Sequence, residues 1–137
     1  MNVLFVCVAN SGRSVMAERI FRRHANARHE ARSAGSSPGP AAHPQVLDAL
    51  GEIGIDASDH RPRQLDDETV CWADVVVATC DAACPLVPGK RYESWQLPDP
   101  QGEPLERVRE IRDEIELRVR ELLEQLDRPG GTSENDA

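Results

Sequence analysis

The sequence predicts an α/β domain of three layers, a four-stranded parallel sheet with helices on both faces. Two patterns carry that expectation. NVLFVC at 2–7 and DVVVAT at 74–79 are short, almost unbroken apolar runs, the pattern of strands buried on both faces. Between and after them lie segments whose apolar residues recur at helical spacing, and strands that alternate with helices pair in parallel through right-handed crossovers. Length agrees: 137 residues, 39% hydrophobic and 29% charged, suit one globular domain. A chain of that size buries about two-thirds of its unfolded surface without disulfides or metals.

The first strand, 2–7, is broken by Asn10, Ser11 and Gly12. A helix follows over 15–27, with Met16, Ile20 and Phe21 on one side and Arg19, Arg22 and Arg23 between them. Residues 31–34 form a short second strand, and Gly35-Ser-Ser-Pro-Gly-Pro40 can only be loop. Residues 43–50 read as a helix with Pro44 in its first turn. A short helix over 66–73 leads into the strand at 74–79, and 91–95 is a fourth, weaker strand. From Leu105 to Leu126 the apolar positions step by three and four residues, so a long helix lays one stripe on the core. The single domain is therefore expected over 1–126, with 127–137 as a mobile tail poor in apolar residues.

The formal charge of −8 is unevenly spread. Residues 1–35 hold six Arg against two Glu, residues 36–102 hold four bases against eleven acids, and residues 103–137 hold six against eleven. Such a balance argues against nucleic acid, whose phosphates need excess Lys and Arg. It leaves room for a small anion at the basic N-terminal quarter. The N-terminus shows no signal-peptide pattern and no run approaches a membrane span, so the expected compartment is the cytoplasm and no membrane partner is expected. There the four cysteines, 7, 71, 80 and 84, stay reduced unless they do chemistry.

Cys7-Val8-Ala9-Asn10-Ser11-Gly12-Arg13-Ser14 joins the first strand to the first helix, and each residue type has a reason to be there. A loop of that length entering a helix turns several backbone N–H groups inward, a nest for a tetrahedral oxyanion reinforced by the helix dipole. Arg13 offers a bidentate fork. The same field favours the thiolate, making Cys7 a nucleophile, and Ser14 is placed to hydrogen-bond its sulfur. In an α/β sheet the ligand sits at the carboxyl ends of the strands, so Cys7 and Cys80 belong to one edge.

These residues resemble the low-molecular-weight protein tyrosine phosphatase family, and the resemblance runs through Leu126. It implies that Asp99, in Pro98-Asp99-Pro100, is the general acid. Within the family the chain is similar to the arsenate reductases: Asn10-Ser11 and Ser14-Val-Met16-Ala-Glu18 match their loop and helix start, Gln101-Gly102 stands where tyrosine phosphatases carry paired tyrosines, and Cys80-Asp-Ala-Ala-Cys84-Pro85 is similar to their redox segment. The resemblance implies arsenate as substrate, with Cys7, Arg13, Asp99, Cys80 and Cys84 as catalytic residues and the loop from Val8 to Ser14 as the binding site. Cys80 attacks Cys7, Cys84 then attacks Cys80, and an external thiol reductant, thioredoxin or a mycothiol and glutaredoxin-like system, clears the final disulfide. In one helical turn the Cα atoms of Cys80 and Cys84 would lie roughly 6 Å apart, inside the disulfide window of about 4.4–6.8 Å.

The resemblance also carries departures. Ala9 replaces a usual Gly, and the gap from Cys80 to Cys84 is shorter than the common one. Some relatives hold potassium near the loop, at positions matching Asn10, Glu18 and Ser33. Arg61 and Arg63 follow here, so neither that site nor any other metal or bound cofactor is expected. Cys71 reads as a packed core thiol, His24 and His29 as solvated, His43 and His60 as loop or helix-start residues. A monomer is expected. Two other readings remain open on the residues: a phosphatase hydrolysing phosphate monoesters, and a non-catalytic oxyanion-binding or thiol-metal sensor.

Overall fold

The computed structural model describes residues 1–79 and 91–128. Its elements are β1 (Asn2–Cys7), α1 (Arg13–His24), β2 (Glu30–Gly35), α2 (Pro44–Glu52), α3 (Asp67–Trp72), β3 (Val75–Ala78), β4 (Arg91–Ser94) and α4 (Leu105–Asp127). The four strands form one parallel sheet in the order β2-β1-β3-β4. β1 lies in the middle, with β2 reached on one side and β3 on the other, so the chain changes direction of travel at the β1–β3 boundary. That is where an open parallel sheet makes its ligand crevice, beyond the strands' carboxyl ends.

Alternation along β1 sorts the two faces. Val3 and Phe5 join the larger core with Ile20 and Phe21 of α1, Leu50 of α2 and Ile111, Ile115 and Val119 of α4. Leu4 and Val6 point to the opposite face, against Ala34, Val70, Ala73 and Val76. Helices therefore cover both faces, with α1, α2 and α4 on one and α3 on the other. Phe5 anchors the larger side by tilted ring contacts with Phe21 at 5.6 Å and Trp95 at 5.7 Å.

Local chemistry sets the ends of the helices. α1 stops at His24 rather than running to residue 27, because Ala25 turns extended and the Asn26 side chain accepts the N–H of Arg28 at 2.8 Å, closing a turn before β2. Asp66 caps α3 by accepting the N–H of Thr69 at 2.8 Å, and hydrogen bonds from the Thr69 side chain and then from that N–H hold its carboxyl below the usual range. Pro44 opens α2, where its missing N–H costs nothing. α4 carries the predicted stripe, from Val108 to Leu123, and reaches Asp127.

Three sequence expectations are corrected here. Cys71 is exposed, because the short α3 turns it outward while Thr69 and Val70 face the core. His29 is not solvated: its side chain is only 3% exposed, its Nε2 meets Asp127 Oδ1 at 2.7 Å and its ring packs against Phe21. His24 is partly sheltered and pairs with Glu116 of α4 at 3.2 Å. Cys80 and Cys84, and the tail from residue 129, lie outside the described residues.

Candidate active site

Cys7 ends β1 and is buried. Two donors converge on its sulfur, the N–H of Asn10 at 3.2 Å and, at 3.0 Å, the hydroxyl of Ser14. The network fixes which way Ser14 points. The backbone N–H of Arg63 donates to Asn10 Oδ1 at 2.9 Å, so the other end of that amide, Nδ2, faces Ser14 and donates to its Oγ at 2.9 Å. The one hydrogen of Ser14 is then left for the sulfur. A directed chain of donors, Arg63 to Asn10 to Ser14 to Cys7, ends on the atom that would carry negative charge, and charge-assisted bonds are the strong ones.

The loop's carbonyls are held elsewhere. The oxygens of Cys7, Val8, Ala9 and Ser11 accept N–H groups from Ser36, Ser37, Gly39 and His43 at 3.1, 2.8, 2.9 and 2.9 Å. The carbonyl of Asn10 takes the ring Nε2–H of buried His60 at 2.9 Å. A carbonyl only accepts, so that contact also puts the imidazole proton on Nε2. With the five acceptors from Cys7 to Ser11 taken from outside the loop, and the Gly12 oxygen binding Met16 in α1, the loop's N–H groups other than that of Asn10 are available on the other side for an oxyanion. Asn10 adopts φ 52°, a left-handed conformation that Asn tolerates. Gly35 makes room beneath: a Cβ there would overlap the Val8 carbonyl and stand 2.9 Å from Asn10 N.

Arg13 opens α1 and reaches across to the segment after β4. Its Nη1 donates to the Leu97 carbonyl at 3.0 Å, and its Nη2 lies 3.9 Å from Asp99 Oδ2. Asp99 is half exposed, and its other oxygen accepts the N–H of Gln101 at 2.9 Å. Pro100 packs so closely on the loop that a Cβ at Gly12 would be 2.8 Å from its ring. The predicted cysteine, arginine, serine and aspartate thus gather at the β1–β3 edge. Sequence reasoning missed His60, Gly35 and the backbone of Arg63. Of these only Gly35 left a trace, in a Gly-rich segment read simply as loop.

This constellation matches a known family. The model of the low molecular weight phosphotyrosine protein phosphatases covers residues 2–131. The chain belongs to that family. Among its relatives the arsenate reductase of Staphylococcus xylosus is 33% identical over 121 residues, 85% of this chain and 92% of its own length. A thioredoxin-dependent arsenate reductase of Corynebacterium glutamicum is 41% identical with a TM-score of 0.79, over 93% of this chain; the match spans 63% of that longer chain. An arginine phosphatase from Geobacillus stearothermophilus superposes with a TM-score of 0.81 at 29% identity, covering 94% of each chain. One scaffold in this phosphatase family therefore serves both reductases and phosphatases.

The potassium site found in some relatives can be tested on the residues present. The Glu18 carboxylate is engaged by Arg22 at 2.5 Å and by the Ser33 hydroxyl at 2.5 Å. The side chains of Arg61 and Arg63 line the same cleft. These groups do not fit a cation.

Proposed function

We propose that this chain reduces arsenate to arsenite, with Cys7 as the nucleophile and Cys80 and Cys84 as the relay, in one domain whose last helix runs on to Asp127, one residue past the expected end at 126. The observation that carries the reading is the sulfur of Cys7 at the floor of an oxyanion loop, held by donors from Asn10 and Ser14, in a chain whose relatives at 33% and 41% identity are named arsenate reductases.

Arsenate binds to the loop from Val8 to Ser14 and to the guanidinium of Arg13. The Cys7 thiolate attacks arsenic; the As–S bond forms and one As–O bond breaks, the oxygen leaving as water with a proton from Asp99. The Cys80 thiolate attacks the Cys7 sulfur, and the electron pair of the S–As bond stays with arsenic, which departs as arsenite. Two thiols have lost two electrons and arsenic has gained them. Cys84 attacks Cys80, Cys7 returns as thiolate, and an external dithiol or low-molecular-weight thiol reduces the Cys80–Cys84 bond. Support for the first exchange comes from the neighbours of the two cysteines: Thr79 donates both its N–H, at 2.8 Å, and its hydroxyl, at 2.9 Å, to the carbonyl of Val6. The reductant is of the thioredoxin or mycothiol type. The enzyme acts as a monomer in the cytoplasm.

The test is to treat the fully reduced protein with arsenate and map its disulfides by mass spectrometry. A Cys80–Cys84 bridge that requires Cys7 and arsenate is expected, with arsenite released in equal amount. No such bridge, together with a fully active Cys80→Ala variant, would sink the relay. Turnover of an aryl phosphate that is lost in Cys7→Ser and kept in Cys80→Ser, without arsenite formation, would instead make the chain a phosphatase.

A further inference from the structure

Beside the loop, at the β2 edge of the sheet, lies a cleft of about 320 Å³ that contains none of Cys7, Arg13 and Ser14. Five arginines line it: Arg19, Arg22, Arg32, Arg61 and Arg63. Its two carboxylates are already committed, Glu18 to Arg22 at 2.5 Å and Asp59 to Arg19 at 2.9 Å. The guanidinium of Arg32 lies over the Trp72 ring at 4.1 Å. Arg32, Arg61 and Arg63 have no carboxylate at ion-pair distance among the described residues, although the charge of Asp66 is felt at Arg63. Three cations outside any ion pair thus share one concavity, in a protein whose net charge is −8. The wall also holds a buried donor without a hydrogen-bond acceptor, Nε of Arg19, which lies 3.9 Å from Glu18 Oε2.

Like charges gathered in a cleft raise the local concentration of a counter-ion, and guanidinium forks match the oxygen geometry of tetrahedral anions. A single carboxylate would leave most of the excess charge uncompensated, and the concavity is too small for a nucleic-acid backbone. We propose that this cleft is a second binding site, for a small multivalent oxyanion of the phosphate class. It shares a wall with the catalytic loop, since His60 lines the cleft while its ring donates to Asn10, and the Arg63 backbone holds the Asn10 side chain.

Inorganic phosphate titrated into the ¹⁵N-labelled full chain at constant ionic strength tests the site by NMR. The Trp72 indole, the Ser33 amide and the Arg19 Nε–H report the cleft, and the amides from Asn10 to Arg13 report the catalytic loop. Saturable shifts are expected in both sets. In an Arg32→Ala/Arg61→Ala variant the cleft signals should need at least about tenfold more phosphate, while the loop amides respond as before and show the variant to be folded. Cleft shifts that persist unchanged in the double variant, or that chloride at equal ionic strength reproduces, overturn the proposal.

Discussion

Asn10 and Ser14 show how much of the site rests on donors that composition does not count. Asn10 supplies its N–H to the sulfur and its Nδ2 to Ser14, while its Oδ1 is held by Arg63. The identity of the nucleophile was legible because a cysteine, an arginine and a serine stood between an apolar strand and a basic helix. The direction of the Ser14 hydroxyl was not, because it follows from a backbone N–H 53 positions away in the chain. His60 was opaque for the same reason. A hydrogen bond to a charged group is worth about 1.5–3 kcal/mol. Ser14→Ala should therefore slow alkylation of Cys7 by iodoacetamide at neutral pH by about tenfold, and it should also lower stability by about 1–3 kcal/mol, because the buried Nδ2 of Asn10 loses its acceptor. An unaltered alkylation rate would mean that the Ser14 hydroxyl does not serve the sulfur.

At the scale of elements, the apolar patterns of β1, β3 and α4 were enough to place them, and the boundaries that slipped, at both ends of α1 and around β2, are ones decided by side-chain turns and by pairing. Strand β2 is only six residues, EARSAG, and carries little apolar content of its own; its register comes from β1, with Cys7 opposite Gly35. That pairing puts Gly35 directly under the catalytic loop. Two glycines make opposed predictions from this. Gly35→Ala drives a methyl into the Val8 carbonyl and Asn10 N; overpacking of this kind costs about 1–3 kcal/mol, and it should weaken phosphate inhibition because the nest is displaced. Gly51 lies inside α2 with nothing within 4 Å of a Cβ. Gly51→Ala should stabilise the fold by about 0.5–1 kcal/mol without touching activity. Urea unfolding read beside phosphate inhibition checks both, and a harmless Gly35→Ala would show that β2 does not shape the loop.

Across the whole molecule, α4 joins elements that the sheet does not, and it does so through ion pairs that its stripe of apolar residues could not reveal. In the structure, Glu52 at the end of α2 accepts from both Arg109, at 2.6 Å, and Arg112, at 2.9 Å. Arg112 is itself buried and also donates to the Ala49 carbonyl at 2.9 Å. At the other end, Asp127 meets His29 at 2.7 Å and Arg28 at 2.9 Å. Hydrogen bonds from Arg109 and then Arg112 pull the Glu52 carboxyl from 4.5 to about 2, and the bond from His29 lowers that of Asp127. A carboxyl lowered on folding adds stability that is whole above its unfolded pKa and disappears as pH falls through the folded one. The fold should accordingly lose stability between about pH 4.5 and pH 2, with Glu52 a main contributor. Glu52→Gln keeps the shape and removes the titration, so its denaturation midpoint should be lower than that of the parent at neutral pH and converge with it as the pH approaches 2. Midpoints measured by urea at a series of pH values decide the matter, since parallel curves across that window would mean that the clasp between α2 and α4 contributes no acid dependence.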